Sequence, residues 1–275
     1  MRFGFALRLM GASANASVLR ESARRAEAAG LDALWVPDHI AIPPDDTEGS
    51  GGRYLDALTS LAWLAAATDH IRIGTSVLVA PYRPALPTAK AIATIQELSG
   101  GRLELGVGVG WMDPEFRAVG VDRHQRGRIT DETLTFLRAA FDAEHDVTTS
   151  NGQPFVFRPN PTRPRIWIGG GAPHALARAA RFGEGWMALN DDPADIGPAS
   201  RDLHARFEDA GKGIPEIIAG GEFGAHTIEE DLDRLESLAA VGVTEYIHGA
   251  RYDDLDGFLC TLDALMERVE AYRAR

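Results

Sequence analysis

Short β-rich apolar runs alternate with helical patterns from one end of the chain to the other. The strand-like runs fall at residues 3–7, 33–37, 71–79, 103–109, 166–169, 185–188, 217–220 and 246–249. Several are continuous apolar stretches, which marks parallel strands buried on both faces rather than strands with one wet face. Helical periodicity occupies residues 17–29, 54–68, 84–98, 130–142, 173–182, 193–210, 228–241 and 255–272. Ala29-Gly30, Ala210-Gly211 and Val241-Gly242 close three of these segments, as C-capping pairs do. Eight strands alternating with eight helices predict an α/β fold, a (β/α)8 TIM barrel in a single domain over residues 1–275. An open doubly wound sheet gives a similar string and is the competing arrangement.

One connection breaks the rhythm. Residues 143–165 are too long for a helix-to-strand loop, and within them 147–150 and 154–157 read as strands around Asn151-Gly152. Asn-Gly is a favoured two-residue hairpin turn, so a hairpin insertion is expected there.

Composition narrows the field. The 275 residues are 45% hydrophobic and 25% charged, an ordinary globular balance. No apolar run reaches the length of about 18 residues that a membrane helix needs. The opening MRFGFALRLM lacks the apolar centre and cleavage site of a signal peptide and reads as a first strand. The single cysteine, Cys260, excludes an internal disulfide framework and a multi-cysteine metal site, and a cytoplasmic location is expected. Cys260 lies among Phe258, Leu259 and Leu262 and is expected to pack inertly. A net charge of −12 disfavours nucleic acid; an anionic cofactor would need local basic groups or helix N-termini.

In a parallel barrel the chemistry sits at the C-terminal ends of the strands, and this rule sorts the polar residues. Asp38 and His39 follow the second strand. A carboxylate beside an imidazole can hold a ring and move a proton near neutral pH, although a helix cap beside a surface histidine gives the same pair. Gly108, Gly110, Trp111, Asp113 and Glu115 follow the fourth strand. Gly169, Gly170, Gly171 and Ala172 lead into a helix at Pro173, where free amides and the helix dipole suit a phosphate; a tight turn without a ligand would look alike. A side chain at Gly170 is expected to block that loop while sparing the fold. Arg53, Arg83, Arg123, Arg126 and Arg128 fall on the same face, whereas Arg163 and Arg165 precede a strand and belong to the far end. Trp111 has the position to stack on a planar ring; Trp35, Trp63 and Trp186 read as structural. The histidines show no metal-ligand spacing such as H-E-x-x-H, so no metal is expected.

Taken together, LWVPDHI, YLDALTSLAWLAAAT, IRIGTSVLVAPYRPALPTAKAIATIQELSGGRLELGVGVGW and RPRIWIGGGAPHALARAARFGEGW resemble the luciferase-like monooxygenase superfamily, most closely its F420-dependent branch. The resemblance runs over most of residues 1–190 and fades in the last third. It implies a deazaflavin, coenzyme F420, across the top of the barrel, with FMN as the alternative cofactor. It places Asp38 and His39 at the ring, with His39 moving a proton. It sets Ser76 and Val77 in a third-strand bulge behind the ring, Gly108 and Gly110 beside it, and residues 169–172 at the phosphate. Some members carry a catalytic glutamate after the fourth strand, where this chain offers Asp113 and Glu115. The expected activity is hydride transfer between the deazaflavin and a small-molecule substrate, by a homodimer. An FMN monooxygenase and a deazaflavin-binding protein without catalysis stay open as alternatives.

Overall fold

The eight apolar runs become eight parallel strands because each can be dry on both faces only inside a closed ring. In the computed structural model, which describes residues 1–143, 146–188, 190–223 and 226–275, they are β1 (Arg2–Ala6), β2 (Ala33–Val36), β3 (Arg72–Val79), β4 (Leu103–Gly108), β7 (Arg165–Gly169), β8 (Gly185–Met187), β9 (Glu216–Gly221) and β10 (Val243–Gly249). Every residue of β2 and β4 is buried. The ring closes where β1 pairs with β10 in parallel, Phe3 opposite Tyr246, so the predicted barrel is found and the open sheet is not.

Outside lie α1 (Ala16–Ala28), α2 (Ala57–Ala67), α3 (Ala85–Leu98), α5 (Arg126–Phe141), α6 (His174–Phe182), α7 (Pro193–Asp209), α8 (Ile228–Ala240) and α9 (Leu255–Ala274), with a short α4 (Asp113–Ala118) after β4. The expected 54–68 helix begins only at Ala57, because Asp56 caps it by accepting from the Thr59 amide. Helix α5 begins at Arg126 instead of 130, following directly on a 3-10 turn whose cap is Asp122. The hairpin insertion forms β5 (Val147–Ser150) and β6 (Gln153–Val156). Its turn residues, Asn151 and Gly152, have φ of 49° and 77°, as a turn with two left-handed residues requires. Of the expected insertion, residues 144 and 145 lie outside the described residues.

Two layers fill the barrel. Trp35 and Trp167 meet edge to face at 6.1 Å beside Met187, Ile218 and Ile247. Below them, at the strands' N-terminal ends, is a layer of charge. Arg2 pairs with Glu216 and Glu245, Arg72 with Glu104 and Glu245, and Arg165 with Glu216, while the Trp35 indole donates to Glu245 at 2.9 Å. Arg165 thus plugs the end away from the active face, as its sequence position predicts.

Burial, opposed by Arg72 and reinforced by Glu245, pushes the Glu104 carboxyl up to about 7. The folded state therefore binds this proton more tightly than the unfolded chain does. Stability from Glu104 is full below the ordinary 4.5 and is lost as pH rises through about 7. Glu104→Gln should gain on the wild type across that window, by about 3 kcal/mol at most. Denaturant melts of both proteins at several pH values check this; parallel curves would show that Glu104 does not titrate there.

Two expectations at the surface are corrected. Trp63, read as structural, lies on the outer side of α2, 40% exposed, with the Arg20 guanidinium 4.8 Å from its ring. Cys260, expected to pack inertly, is exposed. Both helices turn their other faces to the barrel, so the apolar neighbours in sequence are not the neighbours in space.

Candidate active site

The C-terminal ends of the strands surround a cavity of about 740 Å³. Asp38, His39, Ser76, Val77, Gly108, Gly110, Glu115, Gly169, Gly170 and Gly171 all line it. Of the loop residues 169–172, Ala172 is not in the wall and precedes Pro173 through a cis peptide just outside; Asp113 and the arginines at 53, 83, 123, 126 and 128 do not line the cavity either.

Asp38 and His39, neighbours in sequence, point to different partners, since consecutive residues of an extended segment face opposite ways. Asp38 is buried and fully engaged: it accepts from the Val79 amide at 2.9 Å and from both terminal nitrogens of Arg83 at 2.7 and 2.8 Å. Arg83 also reaches Asp56 at 2.7 Å. Asp38 therefore ties the end of β3 to β2, and it is not the acid that orients His39.

That acid is Glu115. It enters from the first turn of α4, where Pro114 suits a helix start, and its side chain is wholly buried. One oxygen, Oε1, accepts from the amides of Ile40 (2.6 Å) and Ala41 (2.9 Å); Oε2 meets His39 Nδ1 (3.0 Å) and accepts from the Tyr82 hydroxyl (2.9 Å). Burial acts to raise this carboxyl, but the bonds from His39, Ala41, Ile40 and Tyr82 outweigh it and hold the pKa at about 2. Burial and the adjoining Glu115 push the Tyr82 phenol well above its ordinary 10.0, so it remains a donor. A carboxylate that is ionised at neutral pH beside Nδ1 fixes the imidazole tautomer. The proton of a neutral His39 is on Nδ1, and Nε2 is the free position at the cavity. Asp113, the other acid after β4, is exposed and pairs with Arg117.

The floor is built by close approach. Between Ser76 and Val77 the peptide is cis, and the pairing of β3 with β4 slips between Thr75 and Leu78. The Val77 side chain lies so near the strand ends that a Cβ on Gly108 or Gly169 would stand 2.5 or 2.7 Å from its methyls. Glycine at both positions follows from sterics. The loop after β7 is pinned by Trp186, whose indole donates to the Gly170 carbonyl at 2.7 Å, and α6 begins without a side-chain cap. Gly170 has φ of +127°, so a side chain there strains the backbone and the expectation of a spared fold does not hold for it. Gly171 is open instead: nothing stands within 4 Å of where its Cβ would be.

Sequence reasoning gave no role to Tyr82 or Glu222, and it read Trp186 as structural without finding the loop that it pins. Tyr82 and Trp186 act through hydrogen bonds to groups distant in sequence; Glu222 sits in the wall after β9, in the third of the chain with the least family signature. Among the described residues, no group of three or more His, Cys, Asp or Glu is placed to hold a metal, and no helix is long and apolar enough to cross a membrane.

A closed parallel barrel with its polar machinery gathered at one face has the plan of a TIM-barrel enzyme. The chain belongs to the luciferase-like monooxygenase family, whose profile matches residues 1–273. It is 30% identical over 252 residues to an uncharacterised Mycobacterium tuberculosis protein, covering 83% of each chain. It is 26% identical to the 5,10-methylenetetrahydromethanopterin reductase of Methanolobus tindarius, over 83% of this chain and 67% of that one. An F420-dependent secondary alcohol dehydrogenase, solved with an F420-acetone adduct, shares the fold with a TM-score of 0.80, 17% identity and 98% of both chains covered.

Proposed function

We propose that this protein is an F420-dependent oxidoreductase that moves a hydride between the deazaflavin and a small organic substrate, with His39 managing the accompanying proton. The observation that carries this reading is His39 held by a buried Glu115, ionised at neutral pH, at the wall of a cavity of about 740 Å³. The likeness to a methylenetetrahydromethanopterin reductase and the shared fold with an F420-dependent dehydrogenase support it.

The residues fit such a cofactor. Glycines at 108 and 169 leave a floor flat enough for a tricyclic ring beside Val77, and the open amides around Gly171 leave room for a phosphate. The cofactor, when bound, supplies the carbon that gives or takes the hydride. Val77, Gly108 and Gly110, which line the cavity, would border the ring, and residues 169–171 would hold the anion. His39 takes or donates a proton at Nε2, while Glu115 holds the ring by Nδ1 and stabilises the imidazolium when it forms. Tyr82 keeps Glu115 in place.

Titration of the purified protein with F420 and with FMN, followed by fluorescence, tests the assignment. Tight F420 binding with weak FMN binding is expected; the reverse would make the protein an FMN enzyme of the same family. Gly171→Val should weaken binding of F420 by about tenfold or more with an unchanged melting temperature. Undiminished affinity would place the phosphate elsewhere.

A further inference from the structure

The cavity that is read as binding an anionic cofactor has no lysine or arginine in its wall, and the protein carries a net charge of −12. Cations left without acidic partners just outside the cavity are therefore informative. Arg123 and Arg126 stand between the mouth and the start of α6. Arg123 Nε donates to the carbonyl of Trp111 at 3.2 Å, and Trp111 is in the cavity wall. Arg126 Nη1 donates to the backbone carbonyl of Arg123 at 3.0 Å, so the second guanidinium is held against the turn that carries the first. Neighbouring arginines are neutralised: Arg128 pairs with Glu132 at 2.5 Å, and Arg178 of α6 with Asp131 at 2.6 Å. Neither Arg123 nor Arg126 has an acidic partner among the described residues, although both are half-buried and held by backbone carbonyls.

Helix α5 runs on from the 3-10 turn capped by Asp122 and begins at Arg126. Its first turn lies against α6, whose Arg178 donates to the Gly127 carbonyl at 3.4 Å. The open loop at Gly171 leads into that same α6. The uncapped start of α6 and two guanidiniums without acidic partners among the described residues thus share one side of the mouth.

We propose that Arg123 and Arg126 bind the carboxylate-bearing tail of the cofactor as it leaves the cavity past the phosphate loop. The proposal rests on the F420 reading above. Planar guanidinium forks match carboxylates in geometry as well as in charge. Outside the cavity they attract the anion without placing a positive charge beside the ring.

The test is a binding titration of wild type and the Arg123→Gln/Arg126→Gln double variant with three ligands, at low and high salt. The ligands are F420, the deazaflavin nucleoside without phosphate or tail, and the nucleoside 5′-phosphate. F420 should lose about tenfold in affinity in the variant, the scale of two exposed ion pairs, and much of its salt dependence. The nucleoside and its phosphate should bind both proteins equally, which also shows that the variant is folded. Unchanged F420 affinity overturns the proposal, as does an equal loss for the 5′-phosphate, which would assign the arginines to the phosphate itself. A wild type that binds no deazaflavin at all would instead overturn the F420 reading and this inference with it.

Discussion

Alanine at His39 is expected to lower turnover by about two orders of magnitude or more, the usual scale of general acid–base catalysis, and to change cofactor affinity far less. The separation follows from where the contacts lie. In the proposed binding mode the phosphate end would meet residues 169–171, which line the cavity on the side built by β7 and α6, whereas His39 follows β2. Losing the imidazole removes a titratable group of the cavity wall whose tautomer Glu115 fixes. The measurement pairs a cofactor dissociation constant with a single-turnover rate. Added imidazole should restore part of the rate, which a purely structural defect would not allow. Wild-type turnover in the variant would leave His39 as a wall of the pocket only.

The second large effect belongs to Glu115, where stability and chemistry meet in one side chain. Glu115→Ala strands the amides of Ile40 and Ala41, the Tyr82 hydroxyl and His39 Nδ1 in a dry site. A loss of about 3 kcal/mol or more is expected in denaturant melts. Glu115→Gln is milder in stability and as harmful in turnover. Its amide oxygen can still accept from Ile40 and Ala41, but its nitrogen would donate to Nδ1. The imidazole proton then moves to Nε2 and the free position can no longer accept. The pH dependence separates the two roles. Because the folded carboxyl sits at about 2 against an ordinary 4.5, its contribution is present above 4.5 and lost as pH falls towards 2. Wild type should lose about 3 kcal/mol more than Glu115→Gln across that window. Equal acid limbs would mean that the carboxylate carries no such stability. Glu104 acts with the opposite sign, since its proton is held and not released by folding.

The sequence by itself determined the barrel. The apolar runs, the helical periodicity between them and the Asn151-Gly152 turn are local patterns, and local patterns survive into the structure because each strand must be dry on both faces. It also determined which loops surround the candidate site, because strand order alone assigns one end of a parallel barrel to function. Asp38, His39, Glu115 and the glycines at 108 and 169–171 were found this way, and they converge on one cavity. Only the tertiary structure decided who touches whom. Adjacency in sequence suggested Asp38 for His39, but an extended chain turns neighbours apart, and Glu115 arrives from 76 positions away. Asp38 meets Arg83, 45 positions on. Gly108 and Gly169 owe their identity to a valine on a third strand, and the strain at Gly170 lies in a backbone angle that no residue name discloses. Hydrogen bonds and close contacts of that kind are set by where strands and loops come to rest in space, and linear spacing does not encode them.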